Sequence, residues 1–148
     1  MNKVETNRIE KLARKFHEGQ LRRDKVTPYF THVERVVKRI EKMYWQLPDN
    51  EIELLKQISF FHDSEEDQRV TIQQLRELNV HQKVLDSLPF LNHNRDDDYL
   101  DYIKNLKRDS RAVKVKIADI LDNLSDNPTE KQIVKYARAL LILMGKEE

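Results

Sequence analysis

Apolar residues in this chain recur at the spacing of a helix rather than in the alternation of a strand. Ile9, Leu12, Ala13 and Phe16 follow i, i+3, i+4, i+7, and Val33, Val36, Val37 and Ile40 repeat the pattern. Leu54, Leu55, Ile58 and Phe61 do so again, followed by Val80, Val84, Leu85 and Leu88, then by Tyr99, Ile103 and Leu106. Val113, Ile117, Ile120, Leu121 and Leu124 make a further stripe. The last is Ile133, Val134, Ala137, Leu140, Leu141 and Met144. Each stripe predicts one buried helix face. Punctuation agrees with this. Thr27-Pro28 reads as a cap followed by proline at the first helical position, and Asn127-Pro128-Thr129-Glu130 reads the same way, with Glu130 as the capping-box acid. Thr71-Ile72-Gln73-Gln74 is another capping box, and Pro48 and Pro89 fall between helical patterns. The expectation is an all-α bundle of seven or eight helices, one domain over residues 1–148, with no sheet.

Rare residue types remove whole classes of chemistry. The chain has two glycines and no cysteine among 148 residues. Neither a dinucleotide-binding G-x-G-x-x-G loop nor a phosphate-cradling P-loop can be written, and G-x-S-x-G is absent. Without cysteine there is no disulfide, thiolate nucleophile, iron–sulfur cluster or cysteine-held zinc. The longest apolar run is Ala139–Met144, far short of the ~20 residues a membrane span needs. The first twenty residues are charged and lack a signal-peptide core, so the expected setting is cytoplasmic, with no membrane partner.

The net charge of +1 conceals a polar distribution. Residues 1–45 carry +6, residues 46–101 carry −8 and residues 102–148 carry +3. Basic and acidic regions together suit a cation held beside an anionic substrate, although a solvated surface has the same look. The lack of a long basic stripe argues against a nucleic-acid partner.

Several polar residues stand against apolar faces. His32 lies one turn before Val36 and two before Ile40, on the buried side of its helix. A core histidine satisfied by a backbone carbonyl would occupy the same place. His62-Asp63 closes the run Ile58-Ser59-Phe60-Phe61, where an ionisable pair is costly unless compensated, or else marks an exposed helix end. Asp119 is embedded in Val115–Leu121, and Lys116, Asp119 and Asn123 share one helix face. A surface Lys–Asp pair would give the same spacing. Taken together, two histidines and two aspartates are a ligand set for Mn, Fe, Co, Ni or Zn.

These motifs resemble the HD superfamily of metal-dependent phosphohydrolases, whose ligand order is His…His-Asp…Asp. The surroundings resemble its RelA/SpoT hydrolase branch more narrowly. Phe16-His17-Glu18-Gly19-Gln20-Leu21-Arg22-Arg23 and Thr27-Pro28-Tyr29-Phe30-Thr31-His32 are similar to "H-x-G-Q-x-R … PY-x-x-H". Phe61-His62-Asp63-Ser64-Glu65-Glu66-Asp67 is similar to "HD-x-x-ED", and Val115–Leu124 to "VKLAD-x-x-x-N". The likeness runs from about residue 8 to about residue 126. It implies a helical HD domain that hydrolyses guanosine tetra- or pentaphosphate, releasing pyrophosphate from the ribose 3′ position. With no room for a synthetase domain, the chain is similar to the small stand-alone hydrolases, the group that includes the metazoan SpoT homolog.

The resemblance implies roles residue by residue. His32, His62, Asp63 and Asp119 match the metal ligands, with Mn²⁺ the usual ion. Glu66 and Asp67 match the acidic pair that handles the attacking water. Asn123 matches a contact to the nucleotide sugar. The arginine against the guanine is Arg22 when counted from Gln20 and Arg23 when counted from His32, with Arg23 favoured. Basic side chains of residues 22–25, Lys25 included, would offset phosphate charge. Departures bear on substrate choice. The segment Asp24-Lys25-Val26-Thr27 replaces a glycine-containing turn, and Gln68 replaces a threonine. Asp122 stands where a neutral or basic residue is usual; it would repel pyrophosphate from inside the pocket, or else face solvent. Two other readings remain: an HD phosphohydrolase of another nucleotide, and a nucleotide-binding regulatory module without turnover.

Overall fold

In the computed structural model, residues 3–22, 24–63, 70–93, 96 and 98–146 are described. Among them the chain forms eight helices: α1 (Lys3–Phe16), α2 (Tyr29–Met43), α3 (Asp49–Phe60), α4 (Ile72–Glu77), α5 (Gln82–Leu91), α6 (Tyr99–Leu106), α7 (Ser110–Leu124) and α8 (Glu130–Leu143). No strand forms among these residues. A single antiparallel bridge joins Leu21 to Pro28 and closes the turn ahead of α2. The all-α expectation holds.

α3 runs through the middle of the bundle, packed against α1, α2, α5 and α7, and α7 in turn packs against α2, α5 and α8. The stripes read from the sequence supply most of the core. Ile9 and Ala13 of α1, Val33, Val36 and Ile40 of α2, Leu55 and Ile58 of α3 and Ile103 and Leu106 of α6 are all buried. They join Val115 and Ile120 of α7 in one continuous cluster. No helix of the described residues is long and apolar enough to cross a membrane.

The last stripe is corrected. Ile133, Val134, Leu141 and Met144 are exposed, Val134 by 61%. α8 instead buries Ala139, Ile142 and Leu143. The helix is apolar on two opposite sides, so periodicity alone could not tell which side meets α6 and α7.

Three boundary expectations also shift. α8 is capped by Thr129, which forms a capping box with Gln132, while Asn127 sits before it at a left-handed φ of 48°. α2 starts at Tyr29 with Pro28 at its cap position and no side-chain cap. Thr27 spends its hydroxyl on Asp24, 2.5 Å away. Pro89 lies inside α5 rather than after it. In the last turn it removes one ladder bond and the helix ends two residues later. The Thr71–Gln74 capping box forms as expected.

Candidate metal centre

Two helices and one turn carry polar side chains to a common point in the core. α2 contributes His32, one turn before Val36. α7 contributes Lys116, Asp119 and Asn123 from one face. The turn that ends α3 contributes His62 and Asp63.

His17 sets the position of that turn. It is buried just beyond α1; its Nε2–H donates to the Phe60 carbonyl at 3.2 Å, and its Nδ1 lies 2.8 Å from the Gln20 side-chain amide. The Tyr29 backbone N–H donates to the Gln20 carbonyl at 2.8 Å. Residues 17–20 thereby tie the end of α1 to the start of α2 and to the last turn of α3. Gly19 makes the bend possible with a φ of 80°.

Asp119 is the focus of the cluster. Its Oδ1 lies 2.8 Å from His32 Nε2 and 3.2 Å from His62 Nε2, and accepts from Asn123 Nδ2 at 3.3 Å. Its Oδ2 accepts from Lys116 Nζ at 3.0 Å. The Lys116–Asp119 pair therefore exists, but in the interior rather than at the surface. His32 meets two carboxylates rather than a backbone carbonyl, since its Nδ1 lies 2.6 Å from Asp122 Oδ2. His62 is no exposed helix end: it is buried, and its Nδ1–H donates to the Ser59 carbonyl at 2.6 Å. That bond fixes the tautomer and leaves Nε2 for the centre. Asp63 adjoins the group, with Oδ2 3.2 Å from His62 Nε2 and accepting from the Tyr29 hydroxyl at 2.5 Å.

Ligand atoms of His32, His62 and Asp119 lie within 4.8 Å of one another. Two imidazole nitrogens and a carboxylate oxygen converging in a buried place fit a divalent transition ion. Ionisation follows from the same crowding. Burial alone would lower the His62 imidazole, but Asp63 and Asp119 outweigh it and hold it well above its ordinary value. Burial would raise the Asp119 carboxyl, yet Lys116, His62 and His32 drive it well below the usual carboxylate range. Asp63 is lowered in the same way, chiefly by His62 against its own burial. Burial would lower the Lys116 ammonium, but Tyr102, Asp119, Tyr99 and Asp63 keep it well above its ordinary value. Its Nζ lies 5.4 Å from the centre of the Tyr102 ring.

The substrate residues are placed less uniformly. Asn123 joins the centre through Asp119. Arg22 has only 9% of its side chain exposed; its Nη2 donates to Asp126 Oδ2 at 2.7 Å and to Asn123 Oδ1 at 3.4 Å. Lys25 is exposed in the turn before α2, at a φ of 62°, away from the cluster's hydrogen bonds. Arg23, Glu66, Asp67 and Gln68 lie outside the described residues.

For Asp122 the structure decides between the two places the sequence left open. Asp122 does not face solvent; it is fully buried against His32, Arg35 and Arg39. The signal was present in the sequence, because Asp122 follows Asp119 by three residues and so shares its side of α7. His17 and Tyr29 were part of a motif but carried no assigned role. Their function depends on contacts across 43 and 34 residues, which spacing does not encode.

No protein-family model and no curated protein matches this sequence.

Proposed function

We propose that the protein is a metal-dependent phosphohydrolase of the HD type. The observation that carries the proposal is the convergence of two histidines on one carboxylate oxygen. His32 and His62 both aim Nε2 at Asp119 Oδ1, while their Nδ1 atoms are held by Asp122 and the Ser59 carbonyl. Such a set holds a cation through His32, His62 and Asp119, with Asp63 beside them. A divalent ion there supplies Lewis acidity toward a phosphoryl oxygen and a water.

The other side chains have separate tasks in this reading. Lys116 brings a permanent positive charge to a cluster of three carboxylates, so an anionic substrate meets less repulsion. Tyr29 holds the Asp63 carboxylate in place. Glu66 and Asp67 follow His62 closely in the chain and are assigned the proton of the attacking water. The proposed substrate is guanosine tetra- or pentaphosphate. Water oxygen bonds to the phosphorus next to the ribose, the bond from that phosphorus to the 3′ oxygen breaks, and this oxygen takes a proton as pyrophosphate leaves. The reading includes Mn²⁺ as the ion, a cytoplasmic setting and no nucleic-acid partner.

One observation favours a second reading, an HD hydrolase of a different nucleotide. Arg22, a candidate for the guanine contact, is buried against Asp126. A substrate panel separates the two. With Mn²⁺, pyrophosphate release from guanosine tetraphosphate is expected to exceed hydrolysis of GTP, dGTP and NADPH. Faster turnover of one of those would overturn the guanosine tetraphosphate assignment and keep the hydrolase. No turnover of any, with guanosine tetraphosphate still bound, would identify a binding module.

A further inference from the structure

A carboxylate with no solvent exposure, one helical turn from a candidate ligand, needs a reason to be there, because burying it is costly unless every oxygen is satisfied. Asp122 is in that position. Its Oδ2 lies 2.6 Å from His32 Nδ1, and its Oδ1 accepts from Arg35 Nε at 2.9 Å and from Arg39 Nε at 3.4 Å. Arg39 also donates to the Ser125 hydroxyl at 3.0 Å, and that hydroxyl donates to the Asp122 carbonyl at 2.7 Å. The carboxylate is clamped from both sides and its rotamer is fixed.

We propose that Asp122 is the positioning residue of the cation site: it accepts the His32 Nδ1–H and thereby directs His32 Nε2 at the point shared with His62 and Asp119. The proposal rests on the cation-site reading above and goes beyond it, because Asp122 touches no ligand atom. The two histidines are held differently. His62 gives its Nδ1–H to a neutral backbone carbonyl, whereas His32 gives its own to an anion. An imidazole whose far N–H is held by a carboxylate is both oriented and a stronger donor at its near nitrogen. Neutralising Arg35 and Arg39 would not by itself require a short contact to His32. The arginines serve the carboxylate instead, by holding it at the angle His32 needs.

Calorimetric titration with Mn²⁺ alone tests this on wild type, Asp122→Ala and Asp122→Asn, each checked for folding by far-UV dichroism. Asp122→Ala is expected to weaken Mn²⁺ binding by roughly 10- to 100-fold. Asp122→Asn keeps an acceptor oxygen but loses the charge, and is expected to fall between wild type and Asp122→Ala. In the Zn²⁺-loaded protein, the His32 Nδ1–H nuclear resonance should be protected in wild type and lost in Asp122→Ala. The His62 Nδ1–H resonance, anchored on Ser59, should persist in both. Mn²⁺ affinity within two-fold of wild type in Asp122→Ala, with the His32 resonance unchanged, would overturn the proposal. If Asp122→Ala fails to fold, Asp122→Asn decides: wild-type affinity overturns the proposal, and a several-fold loss supports it. Wild type that binds no Mn²⁺ would overturn the cation site itself, an outcome visible before any variant is compared.

Discussion

Lys116 and Asp119 show how much of the centre is a matter of charge. The pair is nearly enclosed, with side chains 12% and 4% exposed. Removing one partner of a buried pair leaves the other uncompensated, at a cost on the order of 3 kcal/mol. Lys116→Met is therefore expected to destabilise the metal-free protein by about that amount in urea unfolding. Mn²⁺ should restore part of the loss, since a cation replaces the missing positive charge beside Asp119. Unchanged stability without metal, or no recovery with it, would show that the pair is a bystander. At this scale the sequence revealed the types and the spacing. His32, His62 and Asp119 stood out because each is polar on an apolar face. It did not reveal which nitrogen faces which oxygen, and it left Asp122 open between pocket and solvent, although the three-residue step from Asp119 puts it on the buried side of α7.

Helix faces were legible where only one side is apolar. α1 and α2 bury the residues their periods indicated, because their opposite faces carry charges such as Lys11 and Lys38 that resist burial. α3, packed on several sides, buries its stripe and also Glu53 and Gln57, which its period did not indicate. α8 offers two apolar sides, and the choice was made by contact with α6 and α7. Thermal melting distinguishes its faces directly. Ile142→Ala, which empties a buried place, is expected to cost about 2–4 kcal/mol. Leu141→Lys on the exposed side is expected to stay within about 0.5 kcal/mol of wild type. Equal losses would mean that both sides are packed. Thr129→Ala should cost about 1 kcal/mol as a lost helix cap. The cap was misread by two residues because Asn127-Pro128 and Thr129-Glu130 both satisfy the local rule, and only Thr129 finds Gln132.

Across the whole molecule, folding gathers ionisable groups from distant parts of the chain, and stability should record this as a function of pH. Asp63 and Asp119 have lowered carboxyl values, and Asp122 is lowered to about 2, against its burial, by bonds from His32 and Arg35. Their stabilisation is present above about pH 4, the unfolded value, and is lost as pH falls through the lowered folded values. His62 is raised, so its contribution is full below about pH 6.5 and is lost as pH climbs through its higher folded value. The metal-free protein is expected to melt highest between about pH 4 and 6.5, and lower on both sides. A melting temperature that climbs steadily from pH 6 to 9 would contradict this. Mn²⁺ should raise melting more at pH 8 than at pH 5.5, because the ion competes with the proton for the His62 imidazole. The central claim is that His32, His62 and Asp119 hold a divalent cation between them. The most direct measurement is an anomalous difference map, at the manganese edge, from a crystal grown with Mn²⁺. The account predicts one strong peak about 2.0–2.3 Å from the Nε2 atoms of His32 and His62 and from an Asp119 oxygen. A map with no peak there, or with manganese bound only at surface carboxylates, would contradict it.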